Sequence, residues 1–310
     1  MLVDFAALAL GIVCAGFGGE LFIRGTIGLA HWARVSPAIV GTTLAAFATS
    51  SPELAVAISA ALAKTPQISL GDALGSNVVN FALVLGLALL ISGTRSPRHA
   101  IRRDFPVALL VPLLLGGLLL DGSLSRFDGV LLLGFFAGWL VAVTLEARRQ
   151  RQQTSGQNSP AGGLGALVRC AVALALLAAA GNLGVMGAAG LATAFGVSKF
   201  VAGATIVALG TSVPELATTV IAKLRGHDDI ALGTLLGSNI FNCLFIVGVA
   251  AVIYPIVVPL RELAVALTFG IVAVAATYPA ADGMIRRWRG ALLLALYCSY
   301  VALIIEQGVG

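Results

Sequence analysis

Long apolar runs separated by short polar gaps set the pattern of this chain. A helix needs about 20 predominantly apolar residues to cross a bilayer's hydrocarbon core. Runs of that kind lie near 2–23, 36–62, 68–92, 105–120, 127–145, 166–195, 198–222, 229–256, 263–281 and 288–305, the fourth and last being short. One polar stretch, Ala147–Gly165, rich in Arg, Gln, Ser and Gly, divides the chain near its middle. The pattern predicts an all-α integral membrane protein: a first unit over 1–146, a cytoplasmic linker over 147–165 and a second unit over 166–310, each unit with five transmembrane helices. The N-terminal run lacks a basic leader and a small-residue cleavage site, so it reads as the first transmembrane helix.

Positive charge tests this map. With the N-terminus outside, the inside loops hold fifteen Lys and Arg and the outside loops four: Lys64, Arg126, Lys199 and Arg261. That bias supports ten spans with both termini outside the cell membrane, because a wrong span count would mix the two sets. Composition agrees: 59% of residues are hydrophobic and 11% charged, where a soluble domain carries roughly 25% charged residues. The basic excess sits in the gaps between spans, and no basic, aromatic-interleaved patch points to nucleic acid. Cys14, Cys170, Cys243 and Cys298 lie in apolar stretches without a CxxC pair, so they read as small buried residues.

The two halves repeat. Residues 41–55 read GTTLAAFATSSPELA and 203–217 read GATIVALGTSVPELA; residues 68–80 read ISLGDALGSNVVN and 230–242 read IALGTLLGSNIFN. All matches share an ungapped offset of 162, with 24 identities in the 57 positions from Val35 to Ile91. An odd number of spans per unit puts the second copy into the membrane from the opposite side. Secondary transporters use this inverted-repeat plan and place their sites near the midplane on interrupted helices.

The polar residues inside these spans carry the candidate chemistry. Glu53 and Glu215 are repeat-mates near midspan, where an ionisable group costs about 2.5–3.5 kcal/mol on insertion scales. No basic residue lies near midspan to pair them, so a cation from solution is the expected counter-charge. Each follows a proline, Pro52 or Pro214, which breaks or kinks a helix and frees carbonyls around Ala46–Ala48 and Ala208–Gly210. Such backbone is tolerated at membrane depth where it lines a cavity or is buried in protein. Four-residue spacing puts Thr49 with Glu53, Thr211 with Glu215, Ser76 with Asn80 and Ser238 with Asn242 on shared helical faces. Every group offers oxygen, which suits a hard cation such as Ca²⁺, and no His or Cys set points to zinc or copper. Two carboxylates are neutralised equally by one Ca²⁺ or two Na⁺, a physical basis for exchange.

At these motifs the chain resembles the sodium/calcium exchanger family of the calcium/cation antiporter superfamily, in its compact prokaryotic form, across essentially its whole length. The resemblance implies Na⁺/Ca²⁺ antiport by alternating access, with no cofactor and with Ca²⁺ and Na⁺ as substrates. By position it implies that Glu53 and Glu215 bind the ions, that Thr49, Thr211, Ser76 and Ser238 supply hydroxyls and that Ala46 and Ala208 supply carbonyls. Asn80 and Asn242 would line the middle position, with Ser50 and Ser212 supporting. It also implies that the first and sixth helices slide across the other eight. One departure is Asn242, where some prokaryotic and potassium-dependent relatives place Asp. Asn removes a charge there, which argues against potassium dependence, and animal sodium/calcium exchangers resemble this chain in having Asn. The Thr-Ser-x-Pro-Glu motif favours sodium coupling over the proton branch.

Other charged residues read more plainly. Glu20 and Arg24 form an i,i+4 pair near a membrane edge. Asp72, opposite Thr234 in the repeat, is either near the pocket entrance or an interfacial carboxylate. His31, His99 and His227 are placed in loops. The alternatives are a proton/Ca²⁺ antiporter on this scaffold, a passive cation channel, for which no repeated carbonyl filter is present, and an intramembrane enzyme, for which no nucleophile with a base is present.

Overall fold

In the computed structural model, residues 2–98, 100–153, 163–192 and 203–309 are described. Among them the chain forms ten helical segments. The first unit contributes α1 (Leu2–Ala33), α2 (Pro37–Thr49 and Ser51–Leu62), α3 (Gln67–Ile91), α4 (100–118) and α5 (Arg126–Gln153). The second contributes α6 (Gly163–Ala192), α7 (203–211 and Val213–Leu224), α8 (Asp228–Phe241, continuing to Ile253), α9 (Leu260–Ala276) and α10 (Trp288–Val309). Five of these are long and apolar enough to cross a membrane unaided, and α2 qualifies as a pair bent by 43°. The apolar side chains of Phe17, Leu62, Leu120, Phe127, Val130 and Leu164 are exposed, as expected where lipid is the solvent.

Boundaries differ most from the hydropathy reading in two places. The helix α1 runs ten residues past position 23, because its amphipathic end, with Glu20, Arg24 and His31, continues the helical hydrogen bonding. His31 therefore lies in the last turn of a helix, not in a loop. The polar segment after position 146 begins as helix, since Arg148–Gln153 continue α5 with good helix formers. Residues 154–162, Lys199 and His99 lie outside the described residues.

Both broken helices break for one local reason. Ser50 (φ −85°, ψ 13°) and Ser212 (φ −83°, ψ 7°) leave the helical region, and a new helix starts with proline in its first turn. Proline lacks the N–H that would bond back across the break, but at a helix start that donor is not needed.

The two units are interlocked. Gly75 of α3 lies against the backbone of Ala204 in α7, and its mate Gly237 of α8 lies against the backbone of Thr42 in α2. A Cβ at Gly75 would sit 2.6 Å from the Ala204 Cα, so only glycine permits this approach. Four two-residue strands repeat the exchange at the ends of the bundle. Strand β1 (Thr94–Arg95) pairs antiparallel with β4 (Met284–Ile285), and β2 (Ser123–Leu124) with β3 (Ile256–Val257). Each pair joins one unit to the other. The fully buried core runs along α3 and α8, through Leu70, Val78, Phe81, Leu85, Leu232, Ile240 and Val247.

Candidate functional site

Glu53 and Glu215 each occupy the first turn after a helix break, and both are fully buried. Their support is crossed between the units. Ser50 Oγ donates to Glu215 Oε1 (3.0 Å) and Ser212 Oγ donates to Glu53 Oε1 (3.5 Å). Thr211 likewise interacts with Glu53, and Thr49 with Glu215. Spacing along one helix pairs Thr49 with Glu53. The break at Ser50 turns the chain between them, so each threonine serves the carboxylate of the other unit instead.

The helices α3 and α8 add amides and hydroxyls. Ser238 Oγ donates to Glu215 Oε1 (3.2 Å). Its mate Ser76 is placed differently, 3.4 Å from Thr211 Oγ1 and 3.5 Å from the Ala208 carbonyl. Asn77 and Asn239 clasp each other's backbone, each Nδ2 donating to the other's carbonyl at 3.2 Å. They then orient the next pair: Asn80 Nδ2 donates to Asn239 Oδ1 and Asn242 Nδ2 to Asn77 Oδ1, both at 3.1 Å. The amide nitrogens of Asn80 and Asn242 are thereby spent on the scaffold, leaving their oxygens free.

Among the described residues, five carboxylate and amide oxygens of the broken helices and of α3 and α8 are buried without a hydrogen-bond partner: Glu53 Oε2, Glu215 Oε2, Asp72 Oδ2, Asn80 Oδ1 and Asn242 Oδ1. All are acceptors. Buried polar groups are ordinarily paired, and the buried Lys223 Nζ and Asp104 carboxylate follow that rule. Lys223 Nζ donates to the Gly93 carbonyl (2.7 Å), Thr94 Oγ1 (2.7 Å) and Asp228 Oδ1 (2.8 Å), while Asp104 accepts from Arg103 (2.7 Å) and Trp139 (3.3 Å). Buried acceptors left unpaired beside the two carboxylates are what a cation-holding pocket requires. Among the described residues, no three His, Cys, Asp or Glu side chains gather as a metal cluster. A cation held here would draw on hydroxyl, amide and carbonyl oxygen besides carboxylate, a donor set for hard cations.

The backbone contribution differs from the simple reading of a proline break. The Ala46 carbonyl still accepts Ser50 N–H (3.0 Å) and Thr49 Oγ1 (3.3 Å), and the Ala208 carbonyl still accepts Ser212 N–H (3.1 Å) and Thr211 Oγ1 (3.3 Å). The last turn before each break survives, so these oxygens are not freed by the prolines. A carbonyl's two lone pairs set how much remains for an ion. A cavity of about 530 Å³ leads to the breaks, lined by Thr49 and Pro52 of α2, Thr211 and Pro214 of α7, and Leu174 and Leu177 of α6.

The sequence reading missed two features. Asp72, read as near the pocket entrance or interfacial, has a hydrogen-bond partner on the cavity-lining Thr211. It is fully buried, and Thr211 Oγ1 donates to its Oδ1 at 3.0 Å. Asn77 and Asn239 carried no role in the sequence, although their duplication at the repeat offset was the available signal. Glu20 does pair with Arg24 (2.8 Å), and it also holds Arg225 of α7 (2.9 Å).

A multi-pass helical bundle with a buried, oxygen-only pocket between two interrupted helices is the plan of a secondary transporter. The chain belongs to the sodium/calcium exchanger family: the family model described as sodium/calcium exchanger protein matches residues 3–145 and 165–306. The family is one of membrane transporters, not enzymes, and its members support cation/Ca²⁺ exchange. Relatives include the inner membrane protein YrbG of Escherichia coli, 35% identical over 264 residues, covering 82% of this chain and 81% of that one. The sodium/calcium exchanger MaX1 of Methanosarcina acetivorans is 28% identical over 97% of this chain and 98% of its own. A solved structure of the sodium-calcium exchanger NCX_Mj, soaked with Na⁺ and Sr²⁺, matches with a TM-score of 0.81 at 29% identity, covering 97% of this chain and 98% of that one.

Proposed function

We propose that this protein exchanges Na⁺ for Ca²⁺ across the cell membrane, in the manner named for MaX1 and NCX_Mj, with both termini outside. The ions bind between the two repeat units, 1–146 and 166–310. Glu53 and Glu215 supply the charge, Thr49, Thr211, Ser76 and Ser238 the hydroxyls, Ala46 and Ala208 the carbonyls, and Asn80 and Asn242 the amide oxygens of the middle position. The supporting observation is that Glu53 Oε2, Glu215 Oε2, Asn80 Oδ1 and Asn242 Oδ1 are buried without a hydrogen-bond partner. Such a pocket is costly to leave empty. One Ca²⁺ or two Na⁺ balance the glutamate pair equally well, so one ion set can replace the other.

The arrangement around the pocket supports alternating access. On the α6 side a cavity reaches the breaks. On the α1 side, Gly19 lies against Ala217 and Ile221 of α7, where a Cβ would sit 2.5 Å from the Ile221 side chain.

The test is Ca²⁺ uptake into proteoliposomes of the purified protein, preloaded with Na⁺ or with K⁺ at fixed pH. The proposal expects uptake driven by the outward Na⁺ gradient, and its loss in Glu53→Gln and Glu215→Gln with the protein still folded. Full activity in either variant would sink the assignment. Uptake that ignores Na⁺ but follows an outward proton gradient would establish proton coupling instead.

A further inference from the structure

The two repeat units depart from symmetry at one point inside the pocket. At the position 162 residues apart, α3 carries Asp72 and α8 carries Thr234, both buried. The asymmetry spreads to the neighbours. Around Asp72, Thr211 Oγ1 donates to Oδ1 (3.0 Å), Ser76 Oγ lies 3.4 Å from Thr211 Oγ1, and both hydroxyls lie beside the Ala208 carbonyl, at 3.5 and 3.3 Å. In the other unit, Ser238 instead turns to Glu215. Asp72 Oδ2 is buried and has no partner. Its charge is felt by Glu53, and that of Glu215 is felt by Asp72. Among the described residues, the ion pairs of Arg24, Arg103, Lys223, Arg225 and Arg286 all go to other carboxylates.

We infer that Asp72 is a further cation ligand, which with Ser76, Thr211 and the Ala208 carbonyl makes a charged position at one end of the pocket that the other end lacks. This rests on the exchanger reading above and adds a third carboxylate to it. Four oxygens already lie together there, and the unpaired Oδ2 is the fifth acceptor. The mate position, with a neutral Thr234, offers no such charge. The pocket then carries three carboxylates spread along it, not gathered round one point. One Ca²⁺ leaves a negative charge that a monovalent cation at Asp72 can cover, so Na⁺ binding should depend on Asp72 more steeply than Ca²⁺ binding does.

Asp72→Asn tests the charge alone, because an amide oxygen still accepts the hydrogen bond from Thr211. Asp72→Thr installs the residue that the fold already accommodates at position 234, and it serves if the first variant does not fold. Each purified variant is titrated with NaCl and separately with CaCl₂, following thermal stabilisation in detergent, and Na⁺-driven Ca²⁺ uptake is then measured. Loss of a supporting group around a metal site costs on the order of tenfold to a hundredfold in affinity. The expected result is a rise of at least about tenfold in the Na⁺ midpoint, with a smaller change for Ca²⁺. An unchanged Na⁺ midpoint in the folded variant, with binding lost in Glu53→Gln and Glu215→Gln, overturns the role of Asp72 and leaves the glutamate pair standing. The reverse pattern, binding lost only on changing Asp72, upholds this inference and removes the glutamate assignment. Equal weakening for both ions refutes the selective position.

Discussion

Gly237→Ala should damage transport far more than folding. Gly237 is the point where α8 crosses α2, one residue before Ser238. An added Cβ would fall on the carbonyl oxygen of Thr42, 2.7 Å from Ala46 Cβ and 2.8 Å from the Thr42 carbonyl carbon. Carbon contacts are comfortable at about 3.5–4 Å, and backbone cannot rotate away as a flexible side chain would. The two helices must therefore part by about 1 Å. Overpacking of this kind costs about 1–3 kcal/mol, while the better helix propensity of alanine returns about 1 kcal/mol. The net is a loss of about 2 kcal/mol at most, which leaves the protein folded. The functional effect is larger, because Ser238 and Ala46 lie on the two surfaces being pushed apart. A displacement of about 1 Å in a site of placed groups can cost on the order of a hundredfold. The assay is radiolabelled Ca²⁺ uptake at matched reconstitution, beside a thermal melt in detergent. Gly134→Ala is the control, since nothing lies within 4 Å of a Cβ there. Wild-type uptake in Gly237→Ala would show that the close crossing does not set the pocket, and the reasoning would fail.

Two further outcomes follow from other contacts. Asn242→Asp removes the donor that meets Asn77 Oδ1 at 3.1 Å and adds charge to the middle of the pocket, so ion preference or pH dependence should shift more than expression; identical uptake across a pH and cation series would refute this. Lys223→Met keeps the apolar stem but leaves the Gly93 carbonyl, Thr94 and Asp228 without their shared donor, so the melting temperature should fall by an amount equivalent to roughly 2–3 kcal/mol, while Ca²⁺ uptake per folded molecule is retained.

The fold was legible because its strongest signals are physical necessities. Apolar runs must match the bilayer, and polar residues at midspan must have a reason to be there. The paired glutamates and the serines and asparagines of the repeat were readable on those grounds. What one helix face cannot show is the crossing between units. Spacing put Thr49 with Glu53, but the break at Ser50 and the approach of α7 give Thr49 to Glu215. For the same reason the full burial of Asp72 could not be read from its place near the start of its helix: the first half of α7 covers that turn. Proline correctly marked the breaks, but the Ala46 and Ala208 carbonyls stay bonded, to Ser50 and Ser212 N–H, because the last helical turn closes before the break.

The crossed contacts also constrain how the pocket can open. Ser50 and Ser212, Asn77 and Asn239, Gly75 and Gly237, and the strand pairs all reach from one unit to the other at equivalent positions. Moving α3 relative to α8 would break the asparagine clasp and strand buried donors, so that pair is the rigid part. Outside that pair, α1 and α6 pack on each other through small residues, Gly18 on Ala173, Gly25 on Cys170 and Gly28 on Ala166, with α1 held to α7 at one end by Glu20 and Arg225 (2.9 Å). Small-residue contacts of this type bring backbones close with little side-chain interlocking, so sliding along them costs less than opening the core. Because α1 and α6 occupy equivalent places in inverted units, exchanging their environments would close the cavity beside α6 and open its counterpart beside α1. On the proposed reading, access then changes sides while the ion-holding oxygens stay where α2, α3, α7 and α8 fix them.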